Sequence, residues 1–138
     1  MKPALTHFAL HVRDIEASKA FYSEFCGMTA VHQREDNGVH VAWIAEAGKA
    51  REFVIVLIEG GHRAAQDADD FTHLGFALES REAVDDIARR GTAHLVWPPR
   101  TLPYPVGHFC GLADPDGNMI EFSYGQPLGP GASEQHSH

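Results

Sequence analysis

The chain has 138 residues, of which 43% are hydrophobic and 22% charged, with a formal net charge of −8. This is the composition of a soluble globular protein of one domain or two small fused modules. The acidic balance argues against nucleic acid or an anionic membrane as partner, since both reward a basic face. No apolar run approaches the ~20 residues of a membrane span, no signal-peptide core opens the chain, and Cys26 and Cys110 form no CxxC pair. A reduced, cytoplasmic setting with both cysteines packed as thiols is therefore expected.

In chain order, residues 6–12 read as a strand with Phe8, Leu10 and Val12 on one face and His7, Ala9 and His11 on the other. Asp14 is a good N-cap for a helix whose apolar positions Ile15, Ser18, Phe21, Tyr22 and Phe25 recur at helical spacing. Gly27 is suited to end it in the left-handed conformation. Strands are expected at residues 30–34, 39–45 and 53–58, with Asp36-Asn37-Gly38 as a tight turn between the first two. Gly60-Gly61 and the acidic stretch to Asp70 read as a linker.

The pattern then restarts. Residues 73–78 form a strand with Leu74, Phe76 and Leu78 on one face and His73, Gly75 and Ala77 on the other. Ser80 caps a helix with Ala83, Val84, Ile87 and Ala88 on its apolar side, ending at Gly91. Strands are expected at residues 93–97, 108–113 and 118–124, with a proline-rich loop at 98–107 as the rim of a pocket. The Gly/Pro/Ser-rich tail, 126–138, is expected to be disordered, and its His136 and His138 are left out of any site. Each half therefore reads strand–helix–strand–strand–strand, an α+β architecture of two βαβββ repeats, about 4–60 and about 71–125, within one domain over 1–125. The helix-side faces are apolar in both repeats, so the opposite faces are expected to enclose a cleft.

Three polar side chains on those opposite faces suggest a metal site. His7 and His73 open equivalent strands, and the parity of the last strand puts Glu121 inward while Ile120 and Phe122 face the helix. A carboxylate between such residues is costly to bury without a partner, and a divalent cation would satisfy it while using both imidazoles. Read singly, each residue also fits a backbone-bonded strand histidine or a glutamate at a sheet edge. The repeat-related placement is what favours the metal. His108 and Tyr104, near the expected rim, are the candidate proton-transfer residues; His11 shares the inner face with His7; Arg100 is a candidate for steering an anionic substrate; Trp43 and Trp97 read as core or cleft wall.

The openings Thr6-His7-Phe8-Ala9-Leu10-His11-Val12-Arg13-Asp14 and Phe71-Thr72-His73-Leu74-Gly75-Phe76, with the ending Asp114-Pro115-Asp116-Gly117-Asn118-Met119-Ile120-Glu121, resemble the vicinal oxygen chelate superfamily over about residues 4–125. That superfamily includes glyoxalase I, fosfomycin-resistance thiol transferases, extradiol dioxygenases and bleomycin-binding proteins. The resemblance implies metal ligands at His7, His73 and Glu121, one divalent ion (Fe, Mn, Ni, Co or Zn), and an enzyme acting on a small oxygen-chelating substrate, as a lyase, isomerase or dioxygenase. It further implies a homodimer whose sites are shared between chains, His7 coming from one and His73 with Glu121 from the other. The alternative from another class is a metal-free protein of the bleomycin-resistance type that binds a small molecule or antibiotic.

The pattern departs from these relatives in places. Glyoxalase I takes a further ligand and base from the last strand of repeat one, where this chain has Val56 at the matching position, or Ile58 if no gap is allowed, and Glu59 at the opposite parity. The region where extradiol dioxygenases carry a tyrosine holds Gly111 and Leu112, and Ala9 replaces the threonine of fosfomycin enzymes.

Overall fold

The computed structural model describes residues 1–61, 64–130 and 132, in two compact units, Met1–Ala65 and Gln66–His138. His62 of the linker and the tail at 131 and 133–138, including His136 and His138, lie outside the described residues.

Unit one runs β1 (His7–Val12), α1 (Ile15–Cys26), β2 (Met28–Asp36), β3 (Val39–Glu46) and β4 (Val54–Glu59). The Asp14 carboxylate accepts the Glu16 and Ala17 amides at 3.1 Å, which satisfies two of the donors a helix start leaves unpaired. Gly27, at φ 64°, closes the helix in the left-handed region. Asn37 and Gly38 both have positive φ, 50° and 83°, so the turn between β2 and β3 has the twist a two-residue hairpin needs. The four strands form one sheet in the order β1-β4-β3-β2, with β1 parallel to β4 and the rest antiparallel. Leu10, Val12, Ile44 and Leu57 are buried with Ile15, Phe21, Tyr22 and Phe25 of α1. Each such side chain contributes roughly 1.5–3 kcal/mol when fully removed from water.

Unit two repeats the plan as β5 (His73–Ala77), α2 (Arg81–Arg90), a single 3₁₀ turn at Thr92–His94, β6 (Leu95–Leu102), β7 (Gly107–Ala113) and β8 (Met119–Tyr124). The sheet order is β5-β8-β7-β6, again with one parallel pair, β5 and β8. Val84, Ile87 and Ala88 of α2 are buried along with Cys110, Leu112, Ile120 and Phe122. The architecture is thus α+β, with two four-stranded mixed sheets and two helices in βαβββ order.

Gly91 ends α2, as read from the sequence, at φ −94°, outside the left-handed region. It is glycine for want of space, because an added Cβ would meet Leu112 Cδ1 at 2.7 Å and the Ile87 carbonyl oxygen at 3.0 Å. Residues 98–102, expected as loop, belong to β6. That strand is the sheet edge, where a proline's missing N–H removes no ladder bond, and the register shifts on either side of Trp97 absorb the two prolines. Residues 126–130 of the expected tail are described: Gln126 bonds to Glu121, and Gly129 lies close enough to Ala77 that a Cβ there would sit 3.2 Å from the alanine's own.

Candidate metal centre

In unit two, the register pairs Gly75 with Glu121, so His73, two residues before Gly75, shares a face with the carboxylate. The side chains meet: His73 Nε2 lies 2.8 Å from Glu121 Oε2. The other ring nitrogen, Nδ1, is 2.6 Å from the Phe71 carbonyl oxygen. A carbonyl only accepts, so Nδ1 carries the proton, and Nε2 meets the carboxylate with either a second proton or a lone pair. In the neutral ring the closest approach is between two acceptors, and something positive must lie between or beside them. Two ligand atoms each about 2.1 Å from one cation, at roughly right angles, stand about 3 Å apart. The pair therefore fits a metal, and the N–H donated to a backbone carbonyl is the usual support for a ligating imidazole.

The surroundings hold this pair in place. Gln126 Nε2 donates to Glu121 Oε1 at 2.9 Å, fixing the oxygen turned away from His73. Gln66 clamps the starts of both strands: its amide nitrogen donates to the Thr72 and Asp70 carbonyls at 2.6 and 3.0 Å, and its oxygen accepts the Met119 N–H at 2.9 Å. Glu121 is only 8% exposed, and a Cβ built on Gly75 meets nothing within 4 Å, so the space opposite the carboxylate is open. Two pockets share the His73–Glu121 pair. One, about 380 Å³, has walls that include Phe71, Trp97, Arg100 and Phe109. The other, about 400 Å³, is lined by Gly75, Ser123, Gln126 and Leu128 among others. The Trp97 and His73 rings are 5.6 Å apart at 85°. Gly111 makes room for that indole, since a Cβ at 111 would collide with it.

Unit one presents the matching face with different chemistry. His7 is exposed, with Nδ1 2.9 Å from Thr6 Oγ1. At the register position of Glu121 stands Val56, between Ala9 and Trp43. A pocket of about 480 Å³ is lined by His7, Ala9, Trp43, Val54, Val56 and Ile58 together with Arg34 and Arg51. Glu59 is engaged elsewhere, its Oε2 accepting the Ile15 N–H at 3.0 Å at the start of α1. The His11 ring packs against Gly61, where any Cβ would overlap it. Among the described residues no group of three or more His, Cys, Asp and Glu side chains converges. The three expected ligands thus appear as a His73–Glu121 pair in unit two and His7 in unit one.

His108 and Tyr104 lie elsewhere. His108 pairs with Tyr124, three positions from Glu121, so it points to the α2 face. There it is 6% exposed, with Nε2 2.7 Å from Asp85 Oδ1 and Nδ1 2.8 Å from Thr101 Oγ1, and Arg81 donates to the same hydroxyl at 3.1 Å. Tyr104 is 66% exposed, between β6 and β7, and borders neither of the unit-two pockets described above. Cys110, fully buried beside them, has its thiol pushed up to about 12 by burial and by the charges of Asp85 and Glu121, which keeps it protonated and unreactive. Gln66 and Gln126 are the residues sequence reasoning missed, because nothing in periodicity or motif sets a lone glutamine apart.

A family model described as the Glyoxalase/Bleomycin resistance protein/Dioxygenase superfamily matches residues 4–122. The uncharacterized protein PA2024 of Pseudomonas aeruginosa is 55% identical over 134 residues, 96% of each chain. Among solved structures, the genomically encoded fosfomycin resistance protein FosX of Listeria monocytogenes shares the fold at TM-score 0.71 and 21% identity, covering 89% of this chain and 94% of that one. Its E126Q mutant, in complex with Mn(II) and 1S,2S-dihydroxypropylphosphonic acid, matches at TM-score 0.69 and 24% identity, with coverage of 89% and 93%.

Proposed function

The chain belongs to the glyoxalase/bleomycin resistance protein/dioxygenase superfamily, and from that premise we propose a divalent-metal-dependent enzyme acting on a small substrate with two adjacent oxygens. His7, His73 and Glu121 are its ligands. The observation that carries this reading is the 2.8 Å approach of His73 Nε2 to Glu121 Oε2 with Nδ1 already committed to a carbonyl. The Mn(II) in the Listeria FosX complex supports it by precedent. When bound, the ion polarises the adjoining substrate oxygens and stabilises negative charge that develops on them.

The protein's own part is positional. Phe71 holds the imidazole tautomer and Gln126 holds the far carboxylate oxygen, beside a pocket walled by Trp97 and Phe109. In this reading His108 serves the fold, as an anchor between α2 and β7, and is not a proton carrier. With Val56 where glyoxalase I has its base, and Glu59 tied to α1, neither of these two positions supplies a carboxylate to move a proton. This favours chemistry other than carboxylate-based isomerisation. The third ligand comes from the partner subunit's His7 in a homodimer with shared sites. A second reading, a metal-free binding protein, draws on the largely apolar pocket and on the lack of a three-ligand group among the described residues.

The two readings separate on titration of untagged protein with Mn(II) or Fe(II). The enzyme reading expects one ion per chain and a dimeric mass by light scattering. His73→Ala or Glu121→Gln should weaken that binding by about 100-fold or more while leaving the circular dichroism unchanged. Wild-type protein that takes up no ion, or variants that bind as well as wild type, would contradict it.

A further inference from the structure

Arg100 borders the aromatic pocket of unit two, and the metal reading gives it no role. It stands opposite Phe109 in the β6–β7 ladder, with its guanidinium carbon 5.7 Å from the centre of that ring. Arg34, Arg89 and Arg90 are each ion-paired to an aspartate at 2.6–3.2 Å. Arg100 makes no such pair among the described residues. A stack on phenylalanine leaves its fork of N–H donors unused, and that fork matches the two oxygens of a carboxylate. In a chain of net charge −8, an uncompensated guanidinium at a pocket wall is a local anion receptor.

The register sets the scale. Gly111 pairs with Glu121, and Phe109, two residues before Gly111, pairs with Arg100. Arg100 therefore sits two interstrand steps of about 4.8 Å and one two-residue step of about 6.8 Å from Glu121. Its guanidinium, lying over Phe109, and the His73–Glu121 pair line the same pocket. Phe71, Trp97 and Phe109 supply flat walls to it, and the volume of about 380 Å³ lies near the small end of ligand pockets.

We propose that the substrate is a planar, conjugated organic acid, with its two adjacent oxygens at His73 and Glu121, its ring against Trp97, Phe71 and Phe109, and its carboxylate on Arg100. The placement of the two oxygens rests on the metal reading above. The acid and the ring rest on Arg100 and the aromatic walls alone.

The test is calorimetric titration of the full chain, Mn(II)-loaded and metal-stripped, with catechol and with protocatechuate, which is catechol bearing one carboxylate. Protocatechuate should bind the loaded wild-type protein about 10- to 100-fold more tightly than catechol, the range of a charge-assisted bidentate contact. Arg100→Met should abolish that preference, with catechol affinity and Mn(II) affinity unchanged, and Arg100→Lys should keep part of it. Equal affinity for both probes in wild type, a preference that survives Arg100→Met, or binding of neither probe would overturn the inference. The Mn(II) isotherm recorded first reads the metal proposal separately. A chain that takes no Mn(II) yet prefers the carboxylate through Arg100 would sink the metal reading and uphold the acid site.

Discussion

The two units share one chain plan and differ on one face. Toward the helices both are apolar in the same register, with Ile55 and Leu57 in unit one matched by Ile120 and Phe122 in unit two. On the opposite faces, His7 and His73 occupy the same ladder position, yet Val56 stands where Glu121 stands, and Trp43 where Gly111 stands. The buried side must keep its shape to hold helix on sheet, whereas the other side carries no such constraint and is free to specialise. Unit two sets a histidine against a carboxylate beside an aromatic pocket, whereas unit one sets His7 in a pocket with Val56, Trp43, Arg34 and Arg51.

The comparison can be sharpened by exchanging these features. The largest effect is expected on the helix side, where His108→Ala removes both bonds of a buried imidazole and strips Asp85 of a partner. Stability should fall by about 2–3 kcal/mol in urea denaturation, with Mn(II) affinity intact. A loss of metal with stability unchanged would move His108 back to the chemistry. Next, Val56→Glu gives unit one the carboxylate that unit two has, and should raise Mn(II) affinity about tenfold at an unchanged one ion per chain. A second ion per chain would show that unit one builds a site of its own. The smallest effect is expected from Gln126→Ala, which frees Glu121 Oε1 and should weaken Mn(II) about three- to tenfold without altering the melting temperature. No change would make the Gln126 contact incidental.

The repeat was legible because its punctuation is local. Asp14 and Ser80 cap helices, Gly27 and Gly91 end them, and Asp36-Asn37-Gly38 turns a hairpin, each through bonds or backbone angles a few residues apart. Strand parity alone put His73 and Glu121 on one face, since both lie in short runs whose alternation is unbroken. What failed to show depends on register and neighbours. The face of His108 follows from how β7 aligns with β8, and the strand through Pro98 and Pro99 from β6 being an edge. Gln66 and Gln126 act across gaps of 53 and 5 residues with no pattern to announce them.

The account stands on a cation held at the His73–Glu121 pair. Anomalous diffraction from crystals of untagged protein grown with Mn(II) locates it directly. A peak about 2.0–2.3 Å from His73 Nε2 and a Glu121 oxygen is expected. The same map with no peak there, and the imidazole simply hydrogen-bonded to the carboxylate, would contradict it.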